Sequence, residues 1–163
     1  MKILGIDPGS VVMGYGVIET QGSKLIHLDN GGIYPTTQQE FSQRLPQIYD
    51  KIEQLIHQFQ PDMAAIEDVF YGKNVQSMLK LGQARGAAIL AVLKSKLPLF
   101  EYSPTQVKMA VTGFGQASKE QVQKMVKLLL HLEDVAMKDA SDALAVAICH
   151  HQSYKFLKKT RAR

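Results

Sequence analysis

The chain has 163 residues, 45% of them hydrophobic and 21% charged, which fits one globular domain with its own core and argues against a two-domain enzyme. Its longest apolar runs, residues 87–93 and 143–149, are too short to cross a bilayer. MKILGID lacks a signal-peptide core and the single cysteine, Cys149, cannot form an internal disulfide, so a cytoplasmic protein without membrane partners is expected. The net charge of +4 is unevenly spread: residues 1–72 carry −5, residues 73–127 carry +7, residues 128–154 carry −3 and residues 155–163 carry +5. A basic middle between acidic flanks suggests a polyanion-binding face beside a carboxylate cluster, although solvated helix lysines would give the same totals.

In chain order, KILGID (2–7) reads as a buried strand ending on a carboxylate, and Asp7-Pro8-Gly9-Ser10 as a turn. Residues 13–20 and 24–34 alternate and are joined by Gln21-Gly22-Ser23, which predicts an antiparallel three-strand meander. Phe41, Leu45, Ile48, Ile52, Leu55, Ile56 and Phe59 recur at helical spacing, with Thr37 and Glu40 as a capping-box pattern ahead of them and Pro61 behind. MAAIEDV (63–69) predicts a second buried strand interrupted by Glu67.

Residues 75–96 predict a long helix in which Gly82 and Gly86 allow close contact with a neighbouring element. A short strand over 99–102 follows. Ser103-Pro104 with Gln106 starts a helix that Gly113 stops, and Ser118 with Gln121 starts another running to about Leu132. Gly113 and Gly115 also lie just ahead of a capped helix start, where backbone N–H groups could hold a phosphate. A last helix extends from about Lys138. This order is α/β: a five-stranded mixed sheet with helices on both faces.

The candidate chemistry is acidic. Asp7 and Glu67 close apolar strands, where a carboxylate loses hydration and needs a compensating partner. Asp139 and Asp142 stand three apart on one face of a helix's first turn. Two carboxylates about 4 Å apart repel by roughly 4 kcal/mol at an effective dielectric near 20, so four together require neutralisation, which two divalent cations supply. All-oxygen donors suit Mg²⁺ or Mn²⁺, and the implied chemistry is two-metal phosphoryl transfer. On spacing alone, Asp7 could instead brace a turn, Asp139 cap a helix and Glu67 pair with a lysine. His150 and His151 diverge on a helix and read as a partly exposed pair, and Cys149 as core.

The segments GIDPGS with GYGV, AAIEDVFYGKN, LKLGQARG, SPTQVKMAVTGFGQASKEQV and KDASDALAVAICH lie in order from about Lys2 to His151. In these the chain resembles the RuvC-type Holliday-junction resolvases of bacteria. The resemblance implies an RNase H-like fold over residues 1–154. It implies a homodimer that makes paired symmetric nicks in opposed strands of a four-way DNA junction, in recombination and repair, leaving 5′-phosphate and 3′-hydroxyl ends.

It also implies Mg²⁺, two ions per subunit with Mn²⁺ able to substitute, held by Asp7, Glu67, Asp139 and Asp142, and cooperation with a RuvA–RuvB branch-migration complex. Phe70 is carried over as a base-stacking aromatic, and Lys73, Lys80, Arg85, Lys108 and Lys119 as phosphate contacts, with Lys108 and Lys119 nearest the scissile strand. Ser141 departs from the Ala common in the family, a change expected to be harmless. The basic segment 155–163 lies outside the resemblance and is expected to be disordered.

The DPG turn also resembles the first phosphate loop of actin-, Hsp70- and sugar-kinase-type ATPases, but no second glycine-rich phosphate motif follows. An RNase H-like ribonuclease and a non-catalytic junction-binding module are the other readings.

Overall fold

The computed structural model describes residues 1–36, 38, 40–69, 74–134 and 137–161, with side chains through Tyr154. Strands β1 (Lys2–Asp7), β2 (Met13–Gln21) and β3 (Lys24–Ile33) form the expected meander. Helix α1 (Phe41–Phe59) leads to β4 (Met63–Glu67), α2 (Val75–Lys94), β5 (Leu99–Tyr102), α3 (Pro104–Thr112), α4 (Lys119–Leu130) and α5 (Lys138–Arg161). The sheet order is β3-β2-β1-β4-β5, with β4 parallel to both β1 and β5.

Pleat parity divides the core. Leu4, Ile6, Ala64 and Ile66 pack with Ile48, Ile52, Ala84, Ala88 and Val92 of α1 and α2. Ile3, Met63 and Ala65 pack with Val107, Val122, Leu144 and Ile148 of α3, α4 and α5. Because side chains alternate along a strand, Asp7 shares the face of Ile3, and Glu67 that of Met63 and Ala65, so both acids fall on the α5 side.

Helix α5 lies unusually close to the sheet. A Cβ placed on Gly5 would come 2.1 Å from the Ala143 carbonyl oxygen, one on Gly14 2.0 Å from that of Asp139, and one on Gly16 2.7 Å from the Leu144 side chain. These three glycines therefore seat the first turns of α5 over β1 and β2. The helix carrying Asp139 and Asp142 is set down beside Asp7.

Several local expectations are corrected. Glu40, not Thr37, is the N-cap of α1 and makes no side-chain capping bond, while Thr37 lies outside the described residues. Helix α4 stops at Leu130, earlier than expected, because His131 turns left-handed at φ 52°. Helix α5 runs on to Arg161, with no Pro or Gly to break it. His150 and His151 are 0% and 5% exposed, not a partly exposed pair, since α5 is covered all round at this point. Both expected capping boxes, Ser103 with Gln106 and Ser118 with Gln121, are formed, and Gly113 is the αL C-cap of α3.

Candidate active site

Asp7 and Glu67 end the adjacent parallel strands β1 and β4, where Ile6 pairs with Ile66 one residue earlier. Open parallel sheets place their sites beyond these carboxyl ends. Here the two acids border a cavity of about 290 Å³ with Asp142 and Ala145 of α5, Pro104, Val107 and Lys108 of α3, and Lys119 and Val122 of α4. Three of the four expected acids thus share one cavity with two of the expected lysines. Asp139 is not among its lining residues, although its charge is felt by Asp7 and Asp142.

The electrostatics show a charge deficit. Burial, then the neighbouring charges of Glu67, Asp142 and Asp139, push the Asp7 carboxyl up to about 8. Burial also pushes Glu67 up to about 7, with Asp142 adding to the rise and a hydrogen bond from Asp7 opposing it. Asp142 is raised mainly by burial, against the opposing charge of Lys119, whose Nζ lies 3.6 Å from Asp142 Oδ2. Near neutral pH the pair Asp7 and Glu67 therefore retains a proton in place of a counter-charge.

Among the described residues no group of three or more His, Cys, Asp or Glu side chains stands as a ready metal cage. The donor set nevertheless suits a hard divalent cation: every acidic donor is an oxygen, and the raised Asp7 and Glu67 are carboxylates that the fold leaves short of positive charge.

The expected phosphate contacts divide. Lys108 and Lys119 face the cavity. Lys80 is exposed on α2, its Nζ 5.9 Å from the centre of the Phe41 ring. Arg85 is spoken for within the fold. Its Nε donates to the Glu67 backbone carbonyl at 3.3 Å, and its Nη2 to Asp68 Oδ1 at 3.1 Å and to Glu101. With a side chain only 16% exposed, Arg85 braces the end of β4 and so the strand that presents Glu67. Phe70 and Lys73 lie outside the described residues. Gly113 caps the end of α3, Gly115 lies against Thr105 of that helix, and at the start of α4 the Gln121 N–H is taken by Ser118 Oγ at 3.2 Å.

The bracing role of Arg85 and the seating role of Gly14 and Gly16 were not anticipated from the sequence. The GYG spacing was the one available signal for the latter.

A family model described as crossover junction endodeoxyribonuclease RuvC matches residues 3–150. The chain belongs to the RuvC family. RuvC of Geotalea uraniireducens (strain Rf4) is 56% identical over 94% of this chain and 90% of its own length. RuvC of Geobacter sulfurreducens is 55% identical over 94% and 93%. The structure of T. thermophilus RuvC in complex with Holliday junction substrate superposes with a TM-score of 0.90 at 31% identity, covering 96% of both chains. The RNase H-like architecture expected from the sequence is therefore the observed one.

Proposed function

We propose that this RuvC chain is a Mg²⁺-dependent endodeoxyribonuclease that resolves four-way DNA junctions by paired symmetric nicks in opposed strands, leaving 5′-phosphate and 3′-hydroxyl ends. The observation that carries the reading is the single cavity into which Asp7, Glu67 and Asp142 face together with Lys108 and Lys119. Its support outside the chain is the similarity to a RuvC solved with a Holliday junction substrate.

Asp7, Glu67 and Asp142 would hold Mg²⁺, or Mn²⁺ in its place, with Asp139 beside them on the first turn of α5. Bound there, two such ions supply Lewis acidity that activates water and stabilises the leaving oxygen of an in-line displacement. The chain's own part is positional and electrostatic. Asp7 and Glu67 must give up the proton they share near neutral pH, and Arg85 keeps the β4 end from shifting as they do so. Lys108 and Lys119 present cationic charge to the backbone phosphate of the cut strand. Phe70 as a base-stacking side chain, Lys73 and Lys80 as further DNA contacts, cooperation with RuvA–RuvB and a cytoplasmic location follow from the family resemblance.

We infer that the homodimer forms along α2. Its outward side exposes Val75 (72%), Leu79 (62%), Leu90 (53%) and Leu93 (54%) in line with Gly82 and Gly86, an apolar stripe at three- and four-residue spacing. A Cβ built on either glycine meets nothing within 4 Å beyond its own stretch of helix. Gly86→Leu is therefore compatible with the fold and is expected to shift the sedimentation mass toward the monomer; an unchanged mass would move the interface elsewhere.

The deciding experiment is gel cleavage of a synthetic four-way junction against linear duplex and structured RNA, with Mg²⁺ or EDTA, for wild type and Asp142→Asn. Paired nicks in the junction alone, dependent on Mg²⁺ and absent in the variant, are expected. Cutting of RNA alone would favour the ribonuclease reading, and binding without cutting the scaffold reading.

A further inference from the structure

Lys119 is in an unfavourable place for a lysine. It is the first residue of α4, at the positive end of the helix dipole, where an acidic side chain is preferred and where Glu120 follows. Its side chain is 59% exposed and is free, on steric grounds, to extend into solvent. Instead it lines the acidic cavity and lies 3.6 Å from Asp142. The local preference of the helix end is overridden by something the cavity supplies.

The reach of that charge goes beyond one ion pair. Asp7, Glu67 and Asp142 come from three separate elements, and Lys119 lines the one cavity that all three border. Lys108 lines the same cavity from α3. The Ser118 capping box, with Ser118 N–H donating to Gln121 Oε1 at 2.8 Å, holds the helix start and hence the root of the Lys119 side chain.

We propose that Lys119 is the built-in counter-charge of the metal-free site: its ammonium sits against Asp142 in the cavity shared with Asp7 and Glu67, and a divalent cation entering that cavity displaces it. The inference rests on the metal-dependent reading above and adds an order of events. The ammonium and the cation compete for the same carboxylates, so a cation that binds frees Lys119 for the DNA backbone. Lys119 thus stabilises the empty site and weakens metal binding, the opposite of what a simple phosphate contact would do.

The test compares wild type, Lys119→Gln and Lys119→Arg as full chains without DNA, by calorimetric titration with Mg²⁺ at pH 8.5 and by thermal melting in EDTA and in Mg²⁺. Removing one positive charge next to a divalent ion in a water-accessible cavity is expected to tighten Mg²⁺ binding by about three- to tenfold. Lys119→Gln should melt lower than wild type in EDTA and gain more on adding Mg²⁺, while Lys119→Arg, which keeps the charge, stays near wild type in both.

Equal Mg²⁺ affinity in wild type and Lys119→Gln, or melting points lowered equally with and without Mg²⁺, would overturn the proposal and leave Lys119 a phosphate contact or a helix-start residue. If neither wild type nor variant binds Mg²⁺, the metal-dependent reading itself fails, an outcome distinct from equal binding by both.

Discussion

Helix α5 carries two polar centres eight residues apart, about 12 Å along its axis. At His150 the fold supplies every partner. Tyr102 O–H donates to Nδ1 at 2.8 Å, Nε2 then carries the proton and points at the Met63 thioether, and the ring packs on Phe100 at 4.4 Å between centroids. Burial keeps this imidazole neutral, lowered to about 4. At Asp142 the fold gathers three carboxylates and gives them one ion-paired lysine. A polar group completed by its neighbours belongs to the structure. Charge left incomplete in a cavity marks where something from outside is to bind.

The largest expected effect breaks the incomplete centre. Asp7→Asn should abolish junction cleavage, by about 10³-fold or more, while leaving junction binding intact. Without metal the same change should stabilise the fold. The unfolded Asp7 loses its proton near pH 4 and the folded one only near 8, so the stability drawn from protonated Asp7 is complete below pH 4. It is lost progressively as pH rises to 8, at about 1.4 kcal/mol per unit for full linkage. Asp7→Asn removes that loss, and melting in EDTA at pH 9 should show a gain on the order of 2–4 kcal/mol over wild type. Saturating Mg²⁺ should reverse the order. A variant no more stable than wild type in EDTA would mean that the Asp7 carboxyl is not short of positive charge.

Much of this was legible in the sequence because it is local. Periodicities of two and 3.6 place all ten elements, and a carboxylate closing an apolar strand stands out in LGID and AAIED without any tertiary knowledge. What stayed hidden depends on contacts distant in sequence. Arg85 reads as one more basic residue until Asp68 and Glu101, seventeen and sixteen residues away, are folded against it. His150 and His151 read as a partly exposed pair because helical geometry separates them from each other and cannot tell that α5 is enclosed around them. The pairing of Lys119 with Asp142 joins residues of different helices, and total charge carries no hint of it.

The completed centre gives a smaller effect of a different kind. His150→Phe should leave junction cleavage unchanged and cost about 1–2 kcal/mol at pH 7, through the bond lost by Tyr102. Its signature is in the acid limb. The unfolded imidazole takes up a proton below about 6.5 and the folded one only near 4, so wild type loses stability as pH falls through that window. His150→Phe should lose less between pH 6.5 and 4, read by melting across that range. An acid limb as steep as that of wild type would show that another group titrates there.

Ser141 tests the comparison at its finest. It lies beside Asp142, is 0% exposed, and its hydroxyl has no hydrogen-bond partner among the described residues. It is therefore incomplete like the acids but uncharged, and it is not among the cavity's lining residues. A buried hydroxyl without a partner costs desolvation and returns nothing, so Ser141 is expected to lower stability despite its small size. Ser141→Ala removes the orphan oxygen and adds helix propensity, with an expected gain of about 1 kcal/mol and no change in cleavage. A chemical denaturation series with unchanged slope and a raised midpoint would show it. A loss of stability, or a loss of cleavage at unchanged stability, would instead show that the hydroxyl has a partner when the site is filled, which would move Ser141 from the structural side of α5 to the functional one.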